Sequence, residues 1–337
     1  MEDFKCPFWK NICEKSGSIR LIDKIRLLSK SDTIGRLAFY CCLPYNTIYT
    51  IYATMSGFYN KSTIHVNSNA KYNLAVVAIA KNESEYIAEW LAFNIASGVE
   101  HFFIYDNDST DSMPDILQKF SEAGYVTYNK IHGERQQGNA YNDAFKRYGN
   151  DCKYMAFIDC DEYLQTVDPN KGLVEEIDRL LDGDNSRAGV VVNWVMYGSS
   201  HYEKKPEGLC FESFIQRALP GKRGTNVVKS IVRPECVKSY YHPHVPIYKS
   251  GFYNVNTIGV RTDGWKNEIE DYQSLRLNHY FTKSKEQWII RRSAKRADTG
   301  TTRTLDEFYA HDNNDVVDNS ALVYLEKVKN IISKILG

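Results

Sequence analysis

The segment Leu74 to Ala80 is an unbroken apolar run with no charged residue, and the pattern around it recurs along the chain. Seven such residues suit a β-strand covered on both faces, which parallel sheets supply. Asn82 with Glu85 three residues later predicts a capping box, and Ile87, Leu91 and Ile95 mark a helical stripe that stops at Ser97-Gly98. A second strand is predicted over His101–Tyr105, then a helix opened by Pro114 that reaches Ala123 and ends at Gly124. Tyr125–Tyr128 reads as a third strand, Ala140–Tyr148 as a helix and Lys153–Ile158 as a fourth strand. Strands alternating with helices in units of about 25 to 30 residues imply an α/β fold: a mostly parallel, Rossmann-like sheet flanked by helices and wound with right-handed crossovers. In such sheets ligands bind at the carboxyl ends of the strands.

Polar clusters fall at those ends: Lys81-Asn82-Glu83 after the first strand, Asp106 to Asp111 after the second, Asp159 to Glu162 after the fourth. Beyond Leu181 the pattern weakens. Gly189–Tyr197, Ser230–Arg233 and Leu275–Phe281 read as strands, His242–Tyr248 as loop, and a helix containing Trp288 starts at Ser284.

Charge narrows the partners. Lysine plus arginine total 42 and so do aspartate plus glutamate, so no global field marks a nucleic-acid binder. Neither GxGxxG nor a P-loop is present. The eight cysteines lack paired CxxC spacing, which argues against zinc and for a reducing compartment. The first 30 residues alternate charge with no apolar core, and Arg36 and Pro44 interrupt the more apolar Ile34–Met55, so neither a signal peptide nor a spanning helix is predicted. Residues 1–70 form a helical N-terminal extension in this reading, with nine basic against five acidic residues, suited either to an anionic bilayer surface or to packing on the main domain, residues 71–300. In residues 301–337, Leu322, Leu325, Val328, Ile332 and Ile335 interleave with Lys327, Lys329 and Lys334 as an amphipathic helix, open to packing, dimerisation or peripheral membrane docking.

In Asp159-Cys160-Asp161 the two carboxylates are two residues apart, which at strand periodicity puts both on one side and Cys160 on the other. Hard oxygen ligands at a strand end suit Mg²⁺ or Mn²⁺, especially where substrate phosphates add further oxygens, and such a cation can neutralise a departing diphosphate.

A set of ordered motifs goes further: Ile79-Ala80-Lys81-Asn82-Glu83, Glu89-Trp90-Leu91, Gly98 to Ser109, Phe157 to Tyr163, Asn193-Trp194 with Tyr197-Gly198-Ser199, Lys229 to Pro234, and Leu277 to Phe281 with Lys283-Ser284. Together, over roughly residues 72 to 300, they resemble glycosyltransferase family 92, relatives of the family 2 nucleotide-sugar enzymes. The resemblance implies a GT-A fold, a UDP-sugar donor, a divalent metal and an inverting transfer, often of galactose. It would put Ala80, Lys81 and Glu83 in the nucleotide pocket, Tyr105, Asp106 and Asn107 at the base and ribose, and Asp159 and Asp161 at ribose and metal. His279 would be the third metal ligand, with His242 and His244 as rivals. Gln137, Asn142 and Asp143 fall in a stretch resembling the family's third donor-side motif, and Lys229 and Arg233 would meet the diphosphate. Tyr105, Tyr197 and Tyr280 would touch nucleotide or sugar.

Inversion needs a base for the acceptor hydroxyl, for which Glu212, Glu268, Glu270 and Asp271 are the candidates. The absence of a clear anchor or lumenal disulfide set points to a cytoplasmic enzyme, peripheral on the inner face of a bacterial plasma membrane, acting on a surface glycan or lipid-linked oligosaccharide. The same acidic strand ends would also serve a metal-dependent nucleotidyltransferase or a non-catalytic carbohydrate-binding protein.

Overall fold

In a computed structural model that describes residues 69–267, 269, 272–291 and 302–337, the apolar run is the centre of the sheet. Strand β1 (Tyr72–Ala80) lies between β2 (His101–Asp106) and β4 (Cys152–Phe157), and β3 (Val126–Lys130) flanks β2, all parallel. Alternation along β1 divides its side chains between two cores. Leu74, Val76 and Ala78 meet Trp90 and Leu91 of helix α1 (Ile87–Ser97) and Leu117 and Phe120 of α2 (Met113–Glu122), whereas Ala75, Val77 and Ile79 meet Ala140, Tyr141 and Ala144 of α3 (Gln137–Tyr148). Leu74 to Ala78 are completely buried, and each Val or Leu so enclosed is worth about 1.5–3 kcal/mol. The continuous apolar run is therefore a consequence of helices on both faces.

Past β4 the chain forms β5 (Glu162–Thr166), α4 (Leu173–Leu181) and β6 (Arg187–Met196). After the short helix α5 (Cys210–Ser213), β7 (Val228–Val232) inserts between β4 and β6, antiparallel to both, and β8 (Tyr253–Val255) covers the far side of β6. Strand β9 (Leu275–His279) runs parallel to β6 and antiparallel to β5. Because β6 and β9 share the sense of β4, the carboxyl ends of β1, β2, β4, β6 and β9 and the first residues of β7 converge on one edge.

The remaining elements are α6 (Lys285–Arg291), α7 (Leu305–His311) and α8 (Leu325–Leu336). The apolar stripe of α8 faces the core: Val328 is buried, Leu325, Ile332 and Ile335 pack on it, and Lys327 donates to the carbonyl of Ala96 at 2.7 Å. All but the last two residues of the N-terminal extension lie outside the described residues. Among the described residues no helix is long and apolar enough to cross a membrane.

Two local expectations change. Asn82 does not cap α1, which starts at Ile87 with no side-chain cap. It adopts a left-handed conformation at φ 54°, and its Oδ1 instead accepts from the backbone N–H of Thr110 at 2.7 Å, tying the loop after β1 to the loop after β2. Helix α3 begins three residues earlier than predicted, bringing Gln137 into its first turn beside the carboxyl ends of the strands.

Candidate active site

Strand β4 stops at Phe157, so Asp159-Cys160-Asp161 occupies the turn into β5, closed by the Glu162 N–H donating to the Asp159 carbonyl at 3.0 Å. This corrects the expectation of two carboxylates on one side, because period-two alternation ends with the strand. Cys160 turns into the core, as expected. Asp159 points to β7 and α3: its Oδ2 lies 2.9 Å from Lys229 Nζ and its Oδ1 accepts from Gln137 Nε2 at 2.9 Å. Asp161 points to the end of β9, with Oδ1 3.4 Å from His279 Nε2.

Two clusters of charge result. Around Asp161, 6% exposed, Oδ2 lies 3.1 Å from Arg291 Nη1, and Arg291 Nη2 lies 3.5 Å from Glu83 Oε1. Burial would raise this carboxyl, but Arg291 and His279 overcome it and hold Asp161 well below the usual carboxylate range. Beneath Asp159, Lys229 is buried and also stands 3.7 Å from Glu162 Oε1. Burial drives Glu162 well above the ordinary carboxyl value, against the pull of Lys229. Lys229 is thus committed to holding two carboxylates and offers no surface to a diphosphate.

The sequence-level candidates separate accordingly. The Ala80 carbonyl accepts from the Asn107 N–H at 2.8 Å, and Lys81 is exposed beside it. Asp106 is buried, receives the Tyr128 hydroxyl at 2.6 Å, and lines a cavity of about 230 Å³ with Asp108, Ser109, Thr110, Lys130 and His132. The Asn107 side chain donates to the carbonyls of Ile131 and Gly133, which ties the loop after β2 to the segment after β3.

Asn142 and Asp143 sit about 8 Å down α3 from Gln137. Asn142 clamps both backbone groups of Tyr240, and Asp143 accepts from the Tyr105 hydroxyl at 2.7 Å, so neither is directed to the strand ends. Arg233 is displaced further: β7 runs antiparallel to β4, which carries Arg233 about 13 Å from Lys229 to the opposite edge, where it donates to the carbonyl of Arg187. Tyr105, Tyr197 and Tyr280 are at most 2% exposed, and Tyr197 stacks on Tyr280 at 4.6 Å, which makes all three packing residues.

Among the rivals for the metal, His244 Nδ1 donates to the Val228 carbonyl at 2.8 Å and burial keeps its ring neutral, while His242 Nδ1 accepts from the His244 N–H. Glu212 is a local cap on Leu209 and pairs with Lys329 of α8 at 3.1 Å, away from the acidic turn. Glu268, Glu270 and Asp271 lie outside the described residues. The residues that bracket them are tethered to β6, through Asn267 Nδ2 to Asn193 Oδ1 at 2.8 Å and the Tyr272 hydroxyl to the Trp194 carbonyl at 3.4 Å.

Sequence reasoning missed Arg291 and gave no role to Glu162 and Lys283, although both fall within the motifs it singled out. Glu162 was legible beside Asp161 in the same motif. Lys283 is buried with its ammonium 3.6 Å from the Tyr86 ring centre, and nothing in its local sequence marks that.

Among the described residues no three His, Cys, Asp or Glu side chains surround one point. Asp161 and His279 nevertheless fit a divalent cation as a pair. Adjacent ligands of an octahedral ion at about 2.1 Å stand about 3 Å apart, close to the observed 3.4 Å. The ring is packed between Trp194 and Phe281 with Nε2 toward Asp161, and its buried Nδ1 has no hydrogen-bond partner among the described residues. Asp159, expected as a ligand, is held by Lys229 and Gln137 instead.

The family model described as Glycosyltransferase family 92 matches residues 75–307. A glycosyltransferase family 92 protein of Ricinus communis is 24% identical over 217 residues, covering 62% of this chain and 35% of that protein. One of Oryza sativa subsp. japonica is 22% identical over 187 residues, covering 55% and 31%. The chain thus spans about a third of the length of these curated relatives. Among solved structures, that of S. aureus TarS 1-349 in complex with UDP shows 20% identity and a TM-score of 0.32 over 49% of this chain and 47% of that one.

Proposed function

Because the chain belongs to glycosyltransferase family 92 and carries a GT-A-type α/β sheet, we propose that it moves a sugar from a UDP-sugar to a glycan hydroxyl, with inversion, dependent on Mn²⁺ or Mg²⁺. The observation that supports it most is the meeting of Asp161 Oδ1, in the turn after β4, and His279 Nε2, at the end of β9, 3.4 Å apart and brought together only by the tertiary fold. A divalent cation bound there would neutralise the diphosphate as it departs.

The protein's own groups do the rest. The cavity walled by Asp106, Asp108 and Lys130 receives the base and ribose, and the loops after β1 and β2, joined through Asn82, hold it in shape. Lys229 and Gln137 fix Asp159, and with it the turn that presents Asp161. The acceptor hydroxyl approaches the anomeric carbon from the face opposite the diphosphate and gives its proton to a carboxylate among Glu268, Glu270 and Asp271, whose bracketing residues are anchored to β6 beside Trp194.

Purified protein incubated with a panel of UDP-sugars, UDP-galactose included, and MnCl₂ should release UDP, faster with an acceptor glycan present. EDTA and Asp161→Ala should each abolish it. UDP release that is unaffected by Asp161→Ala and by EDTA, or no binding or turnover of any UDP-sugar, sinks the proposal.

A further inference from the structure

We infer that Arg291 is a diphosphate-binding arm parked on Asp161 and Glu83, exchanging Asp161 for the β-phosphate when a nucleotide arrives while Glu83 keeps hold of it. The inference rests on the nucleotide-sugar reading above and adds a residue and an order of events to it. The two oxygens of Asp161 face different partners: Oδ1 turns to His279, and Oδ2 to the Arg291 guanidinium, whose second nitrogen reaches Glu83. Arg291 therefore leaves the cation position between Asp161 and His279 open while neutralising the carboxylates beside it.

Its exposure fits an exchangeable group. The Arg291 side chain is 25% exposed and Glu83 18%, whereas Asp161 is 6% exposed, so Arg291 is the most accessible of the three. A planar guanidinium binds carboxylate and phosphate in the same forked geometry, and it stays charged in either state. Once a cation takes up the charge of Asp161, the attraction between Asp161 and Arg291 falls. A phosphate oxygen brought in beside the ion then becomes the better partner. Glu83, on the loop after β1, remains as the pivot that keeps the arm at the strand ends.

Arg291 thus has two effects of opposite sign: it competes with a cation in the empty site and supports a diphosphate in the filled one. Calorimetric titration separates them, using MnCl₂ alone, then UDP and UMP in the presence of MnCl₂, on the full chain and on Arg291→Gln and Arg291→Lys. Arg291→Gln should bind Mn²⁺ alone roughly fivefold to tenfold more tightly and UDP roughly tenfold or more weakly, with UMP within about twofold of the unaltered chain. Arg291→Lys, a point charge without the fork, should fall between.

Equal losses for UDP and UMP, or no gain in Mn²⁺ affinity, would overturn the inference and leave the family function standing. An unaltered chain that binds neither UDP nor Mn²⁺ removes the nucleotide-sugar reading and this inference with it. If thermal unfolding shows Arg291→Gln to be damaged, the ratio of UDP to UMP affinity in Arg291→Lys decides: an unchanged ratio overturns the inference and a lowered one supports it.

Discussion

Replacing Lys229 with methionine keeps the length of the side chain and deletes its charge from the least accessible part of the site. Its Nζ stands 2.9 Å from Asp159 Oδ2 and 3.7 Å from Glu162 Oε1, with Lys229 only 1% exposed and Glu162 wholly buried. At an effective dielectric of about 20, each contact carries roughly 4–6 kcal/mol of attraction, most of it offset by taking the charges out of water. Deleting one partner removes the attraction and leaves the desolvation, a loss of about 3–5 kcal/mol. That is a large part of the stability of an ordinary domain.

The pH dependence gives the loss a signature. Glu162 is already raised by burial, and without Lys229 it rises further. A carboxyl raised in the folded state binds its proton more tightly there than in the unfolded chain. Its contribution is fullest below its ordinary value of 4.5 and is lost as the pH climbs through the raised folded value. The Lys229→Met deficit should therefore be greatest above neutrality and shrink toward about pH 5. Urea unfolding followed by tryptophan fluorescence across that range measures it. A deficit under about 1 kcal/mol throughout, or one that grows as the pH falls, would refute the pairing argument.

Further outcomes follow from other parts of the structure. Burial pushes Glu89 up to about 7 despite the backbone N–H groups of Cys210 and Phe211 that it accepts and the nearby Lys283. Its contribution is present at acid pH and lost as the pH rises through about 7, so melting curves at about pH 6 and 8 should differ less for Glu89→Gln than for the unaltered chain. A Cβ on Gly198 would come within 2.6 Å of the Asn313 carbonyl, so Gly198→Ala should lower stability by about 1–3 kcal/mol in denaturant melts. One of Glu268→Gln, Glu270→Gln and Asp271→Asn should reduce kcat by about 10²- to 10⁴-fold with UDP affinity unchanged; three near-normal enzymes would place the base elsewhere.

Local order was legible in the residues themselves, because burial on two faces and packing on one leave different spacings. The run Leu74–Ala80 announced a strand covered on both faces, Pro114 and Gly124 bracketed α2 to within two residues, and the polar clusters fell at the carboxyl ends of the strands. That information is carried by neighbours in sequence, and so is the family resemblance, which is a string of local motifs. The partners of each charged group were decided only in three dimensions. Asp159 and Asp161 are alike in sequence, yet the turn that ends β4 sends one to Lys229 and the other to His279 and Arg291, residues 70 to 130 positions away. Direction mattered as much as distance: Lys229 lies in β7 and Arg233 directly follows it, but the antiparallel insertion of β7 puts them at opposite edges of the sheet. A spacing pattern records which side chains can share a face, whereas the charge that meets a carboxylate depends on which strands the packed sheet sets side by side and in which sense.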